Sequence, residues 1–79
     1  MPEFYLLMKE ACPLCTQAIG MIYQQQLLQP IKLHVVDIAS DERLQAEYGW
    51  LVPVLVRVRD EQELKWPFAE ASLKEFLSA

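Results

Sequence analysis

Residues 3–16 read EFYLLMKEACPLCT. The apolar run at residues 3–8, with its two aromatic rings, suits a strand buried on both faces. Cys12-Pro13 then marks the start of a helix. Proline is favoured at the first helical position, where its missing N–H would have had no partner. This puts Cys12 at the N-cap and predicts a helix from Pro13 to about Leu28, ended by Pro30. Cys15, Ala18, Ile19 and Ile22 fall at i, i+3, i+4 and i+7 and make one apolar face. Gly20 costs such a helix about 1 kcal/mol relative to alanine, and close packing against a neighbour would account for it.

The rest of the chain alternates in the same way. Residues 31–38, IKLHVVDI, are β-branched and partly alternating, with Lys32 and His34 on one face as in an edge or half-exposed strand. Ser40 or Asp41 can cap a short helix reaching about Tyr48, and Gly49 stands where a left-handed stop is expected. A strand begins after Pro53 in LVPVLVRV, the polar stretch Arg59–Glu63 turns the chain, and Leu64–Trp66 returns as a hairpin partner. Residues 69–78 make a last helix with Leu73, Phe76 and Leu77 inward. The order is βαβαββα. A strand–helix–strand start gives a parallel pair with a right-handed crossover, and the hairpin adds antiparallel strands. The expected fold class is therefore α/β, a four-stranded mixed sheet with helices on both faces.

Bulk properties narrow the function. Seventy-nine residues allow one domain, taken here as 1–79, with a small core from a 53% hydrophobic composition. The formal charge of −4 gives no basic patch for nucleic acid. No stretch is long and apolar enough for a membrane span, and the N-terminus lacks the pattern of a secretory signal. A cytoplasmic protein is expected, and in that compartment a close cysteine pair is more often catalytic or metal-binding than structural.

Three readings of Cys12 and Cys15 follow. As a staple the pair would close too short a loop to stabilise much, on the order of 2 kcal/mol. As a metal clip it needs about four N or S ligands, and one chain offers two thiols and His34. A dimer sharing two pairs keeps a metal or iron–sulfur carrier open. As a redox couple the two sulfurs are usefully unequal. Three residues apart on a helix, they lie over one another. Cys12 sits where unpaired N–H groups and the positive end of the dipole favour thiolate. Lys9 adds positive charge nearby and Glu10 opposes it. Cys15 opens the apolar stripe and should be sheltered. An exposed thiolate that attacks and a buried thiol that resolves are what disulfide exchange requires.

The chain also resembles the glutaredoxins, and more closely a branch of small glutaredoxin-like proteins. The resemblance rests on a first strand, then K-x-x-C-P-x-C opening a helix, then Val52-Pro53 before a later strand. AEYGWLVPVL at residues 46–55 and ELKWPF at residues 63–68 also match that branch. It covers nearly the whole chain and implies the minimal thioredoxin (glutaredoxin-like) fold. It implies Cys12 as nucleophile and Cys15 as resolving cysteine. Lys9 matches a lysine that holds the glutathione carboxylate or tunes the thiolate. Pro53 matches a cis-proline facing the cysteines, which would leave the backbone of Val52 free to pair with a substrate's main chain. Pro13 keeps the family's position, whereas Leu14 replaces an aromatic residue between the cysteines and Leu51 replaces a threonine. The family's Gly-Gly turn, which leads into the helix that binds the γ-glutamyl carboxylate, is replaced by Lys65-Trp66-Pro67-Phe68-Ala69. The replacement implies weak coupling to glutathione, and Trp66 and Phe68 could line a hydrophobic groove or cover the core.

The sequence thus predicts a monomeric thiol–disulfide oxidoreductase of cell redox homeostasis with no bound cofactor. Its expected substrate is a protein or small-molecule disulfide, and its expected electron donor a reductase or glutathione. A metal or iron–sulfur carrier and a non-catalytic interaction module on the same scaffold are the alternatives.

Overall fold

The computed structural model describes residues 1–78. Strand β1 (Glu3–Met8) leads to helix α1 (Pro13–Tyr23), strand β2 (Lys32–Asp37), a single 3-10 turn (Ile38–Ser40) and helix α2 (Glu42–Tyr48). Strands β3 (Val54–Arg57) and β4 (Glu63–Lys65) form the hairpin, and α3 (Glu70–Ser78) ends the described chain. The sheet order is β2-β1-β3-β4. Strand β1 pairs parallel with β2, opposing Leu6 to Val35, and antiparallel with β3, opposing Leu6 to Leu55. Strand β4 closes the other edge antiparallel to β3. The mixed four-stranded sheet and the βαβαββα order are those the sequence predicts.

Alternation along β1 divides the core in two, because successive side chains point to opposite faces. Phe4 and Leu6 pack with Leu55 against Ala18 and Ile22 of α1 and Leu73 and Leu77 of α3. Leu7 and Val54 point the other way, onto Ile38, Tyr48, Val52 and Cys15. Helices α1 and α3 therefore cover one face, and the 3-10 turn with α2 covers part of the other. Phe4, Leu6, Leu55 and Leu73 are fully enclosed, each worth roughly 1.5–3 kcal/mol of apolar burial.

Several boundaries differ from expectation. Helix α1 ends at Tyr23, short of Leu28. The Gln25 side-chain amide takes the Met21 carbonyl at 3.2 Å, while the Gln25 backbone N–H turns to Ile22 O at 3.2 Å. The backbone tightens and the helix stops before the proline is reached. Gly49 is right-handed, with φ −50° and ψ −35°. It is glycine because of a close approach: a Cβ there would lie 2.6 Å from the Gln45 carbonyl oxygen. Gly20 has open space around its missing Cβ, so close packing does not explain it.

Candidate active site

Strand β1 delivers the chain to the site through the turn Glu10-Ala11. Ala11 has φ 54°, a left-handed conformation costing a residue with a side chain about 1–2 kcal/mol. Cys12 follows as an extended N-cap (φ −112°, ψ 101°) with Pro13 in the first turn. The Cys12 Sγ accepts a hydrogen bond from the Cys15 backbone N–H at 3.2 Å. One of the orphan amides of the helix start is therefore aimed at the sulfur. The two sulfurs lie at disulfide distance, with Cα atoms 5.2 Å apart. They are not equally accessible: Cys12 is half-buried and Cys15 is 1% exposed. Cys15 belongs to the cluster of Leu7, Ile38, Tyr48, Val52 and Val54, and Cys12 packs against its edge.

Lys9 reaches across to α2, where its Nζ donates to Gly49 O at 3.2 Å. It lines two adjoining depressions. One, of about 340 Å³, contains Cys12, Pro13, Thr16 and Ile19. The other, of about 360 Å³, is walled by Ile38, Ala39, Gln45, Gly49 and Trp50. Leu14, between the cysteines, is exposed.

Val52 lies in the Cys15 cluster and Pro53 is fully buried, with a cis bond between them. The expectation of a free Val52 backbone is not met at its N–H. Its N–H donates to Tyr48 O at 3.1 Å, and Leu51 N–H donates to the same oxygen at 2.8 Å. Helical-type bonding runs on past Gly49 and consumes the donor. Trp66 also departs from the groove reading. Its backbone N–H meets Pro53 O at 3.3 Å, but its indole lies edge-on to Phe68 (centroids 5.2 Å, 67°) and packs on the α1/α3 face. Covering that apolar cluster removes the ring from water, which a groove on the cysteine side would not. The Trp66–Pro67 bond is cis as well.

Sequence reasoning missed Tyr48 and Trp50. The sequence marks Tyr48 only as the end of a short helix. The structure buries its ring beside Cys15 and Val52, and its hydroxyl donates to Glu63 Oε2 at 2.5 Å. That bond, with burial and the nearby carboxylates, pushes the Tyr48 phenol up to about 12. No local pattern signals a partner on another strand. Trp50 is 97% exposed. His34 lies opposite Tyr5 and faces Glu3 at 3.5 Å, away from the cysteine end of β1. Among the described residues no three His, Cys, Asp or Glu side chains gather to hold a metal.

The fold and the paired cysteines at a helix start define a thioredoxin-like protein whose site fits redox chemistry. The chain matches the glutaredoxin-like domain family (DUF836) over residues 3–78 and belongs to that family. It is similar to the crystal structure of target protein XcR50 from X. campestris, at 30% identity and TM-score 0.74, covering 94% of this chain and 93% of that one. It is also similar to the solution structure of Ne2328 from Nitrosomonas europaea, at 27% identity and TM-score 0.80, covering 98% and 92%. No functionally curated protein matches it.

Proposed function

We propose that the protein is a thiol–disulfide oxidoreductase in which Cys12 attacks and Cys15 resolves. The observation that carries this reading is the Cys15 N–H aimed at a half-buried Cys12 Sγ, with Cys15 itself 1% exposed. In the reduced protein that amide and the helix dipole favour negative charge on Cys12. The thiolate attacks one sulfur of a substrate disulfide, forming a mixed disulfide and expelling the other sulfur as thiolate. Cys15, deprotonated as it reacts, attacks Cys12 Sγ and releases the second substrate thiolate. Two electrons pass from the Cys12/Cys15 pair to the substrate, and the two expelled thiolates take up protons. A thiol or dithiol reductant, either glutathione or a reductase's dithiol, reverses the exchange and restores the pair. No cofactor is required and one copy carries both sulfurs, so a monomer suffices. A reducing compartment, the cytoplasm, keeps such a cycle turning. No described helix is long and apolar enough to cross a membrane.

The remaining assignments are part of the same reading. Pro13 starts the helix at Cys12, Leu14 presents an apolar contact beside the sulfur, and Lys9 borders the approach. Val52 packs in the Cys15 cluster, the buried Pro53 follows it across the cis bond, and Val52 offers its carbonyl to substrate. Trp66 is assigned to the support of the Pro53 loop through its backbone.

The test is a trap. A Cys15→Ser variant exposed to a disulfide substrate accumulates a mixed disulfide at Cys12, read by mass spectrometry. Cys12→Ser accumulates none. Equal adduct yields at either remaining cysteine would overturn the assignment of roles.

A further inference from the structure

We infer that the cleft walled by Trp50 and Ile38 is the specificity pocket of this site, and that its occupant is an apolar side chain next to the reacting cysteine of a protein disulfide. The inference rests on the proposed dithiol exchange and names its substrate class.

Trp50 is presented rather than loosely hung. Gly49 N–H is held by Gln45 O at 2.9 Å, and Leu51 and Val52 N–H by Tyr48 O, so the backbone on both sides of Trp50 is fixed. An indole 97% exposed on a fixed backbone has only its two side-chain torsions to order on binding, and buried tryptophans dominate interface energies. Leu14 and Leu51 add exposed apolar surface next to Cys12 and Val52. Lys9 lines both the cleft and the hollow holding Cys12, so the two adjoin.

Main-chain pairing cannot dominate recognition, because the Val52 N–H is already donated to Tyr48 O. Only an acceptor remains at that residue, and side-chain contacts must supply the rest. Charge argues in the same direction. Glu10 lines the hollow beside Cys12 and forms no ion pair among the described residues, while the Lys9 ammonium is turned onto Gly49 O. The chain as a whole carries −4. The hollow itself therefore holds one carboxylate and one ammonium, and it is the net charge of the chain that disfavours a substrate rich in carboxylates, glutathione disulfide included. A neutral or basic segment with an aromatic or aliphatic neighbour to its cysteine is not disfavoured.

The experiment measures second-order rates of oxidation of the reduced full chain by four probes. These are the disulfides of acetyl-Lys-Phe-Cys-amide and acetyl-Lys-Gly-Cys-amide, glutathione disulfide, and dipyridyl disulfide as a small neutral reference. The phenylalanine peptide should outpace both the glycine peptide and glutathione disulfide by about tenfold. Trp50→Ala, at an exposed position that spares the core, should remove most of the phenylalanine-to-glycine ratio. Tyr23→Ser, a change at another exposed aromatic far along α1, should keep it. A ratio near one in the wild type, a ratio untouched by Trp50→Ala, or faster oxidation by glutathione disulfide would overturn the inference. Continued reaction with dipyridyl disulfide in those cases leaves the dithiol chemistry standing. Failure to react even with that reference defeats both.

Discussion

Gly20 and Gly49 show how differently one residue type can act. At Gly20 nothing lies within 4 Å of an added Cβ, so Gly20→Ala should stabilise the protein by ~1 kcal/mol through helix propensity alone. In a domain of this size that is a rise of about 4–8 °C in melting temperature, read by thermal unfolding. At Gly49 the added Cβ collides with the Gln45 carbonyl. Gly49→Ala should therefore destabilise by about 1–3 kcal/mol and displace the carbonyl that Lys9 holds. Sequence located both glycines correctly but not their reasons. A left-handed stop and a close approach call for the same residue, and only coordinates separate them. The more exposed place of Cys12 was legible because the N-cap is local, and the shelter of Cys15 because it is apolar in a helical stripe, although the residues that cover it come from other elements. Tyr48 and the occupied Val52 N–H were not, because each depends on a partner brought in by folding.

At the scale of elements, the Tyr48–Glu63 bond ties the end of α2 to β4 beneath the cysteine cluster. The Tyr48 phenol is pushed up to about 12 mainly because its hydroxyl donates to the Glu63 carboxylate. A group raised in the folded state contributes stability that is full below its unfolded pKa, near 10, and lost as pH rises through the folded one. The protein should lose stability between about pH 10 and 12. Glu63→Gln should lower the pH at which the last tyrosine ionises, followed by phenolate absorbance. An unchanged titration in that variant would remove Glu63 as the cause. Apolar runs, helical stripes, caps and the polar turn made every strand and α-helix legible. The end of α1 was not, because Gln25 stops it through its own side-chain amide, an outcome that helix propensity does not encode.

Across the whole molecule, Arg57 joins the hairpin to the last helix. Its Nε and Nη2 pair with Asp60, its Nη1 donates to Phe76 O at 3.1 Å, and the guanidinium lies 4.6 Å from the Phe76 ring centroid. The Arg57 hydrogen bonds hold the Asp60 carboxyl down at about 2. A depressed carboxylate contributes stability above its unfolded pKa and loses it as pH falls through the folded one. Asp60→Asn should therefore be less stable than wild type at neutral pH by a small, salt-sensitive margin. The margin should persist down to about pH 4 and vanish near pH 2 in acid unfolding. A margin that survived at pH 2 would assign the effect to packing. The fold's outline followed from the order of elements, but this clasp spans turn, strand and helix and had no signature in the sequence.

The most direct test of the central claim is the pH dependence of alkylation of the fully reduced protein, with each cysteine followed by mass spectrometry. The account predicts that Cys12 is labelled first and that its rate rises at a pH below the free-cysteine value of about 8.5. Cys15 should stay protected until the fold is loosened. Equal and slow labelling of both thiols, each rising near the free-cysteine value, would contradict it.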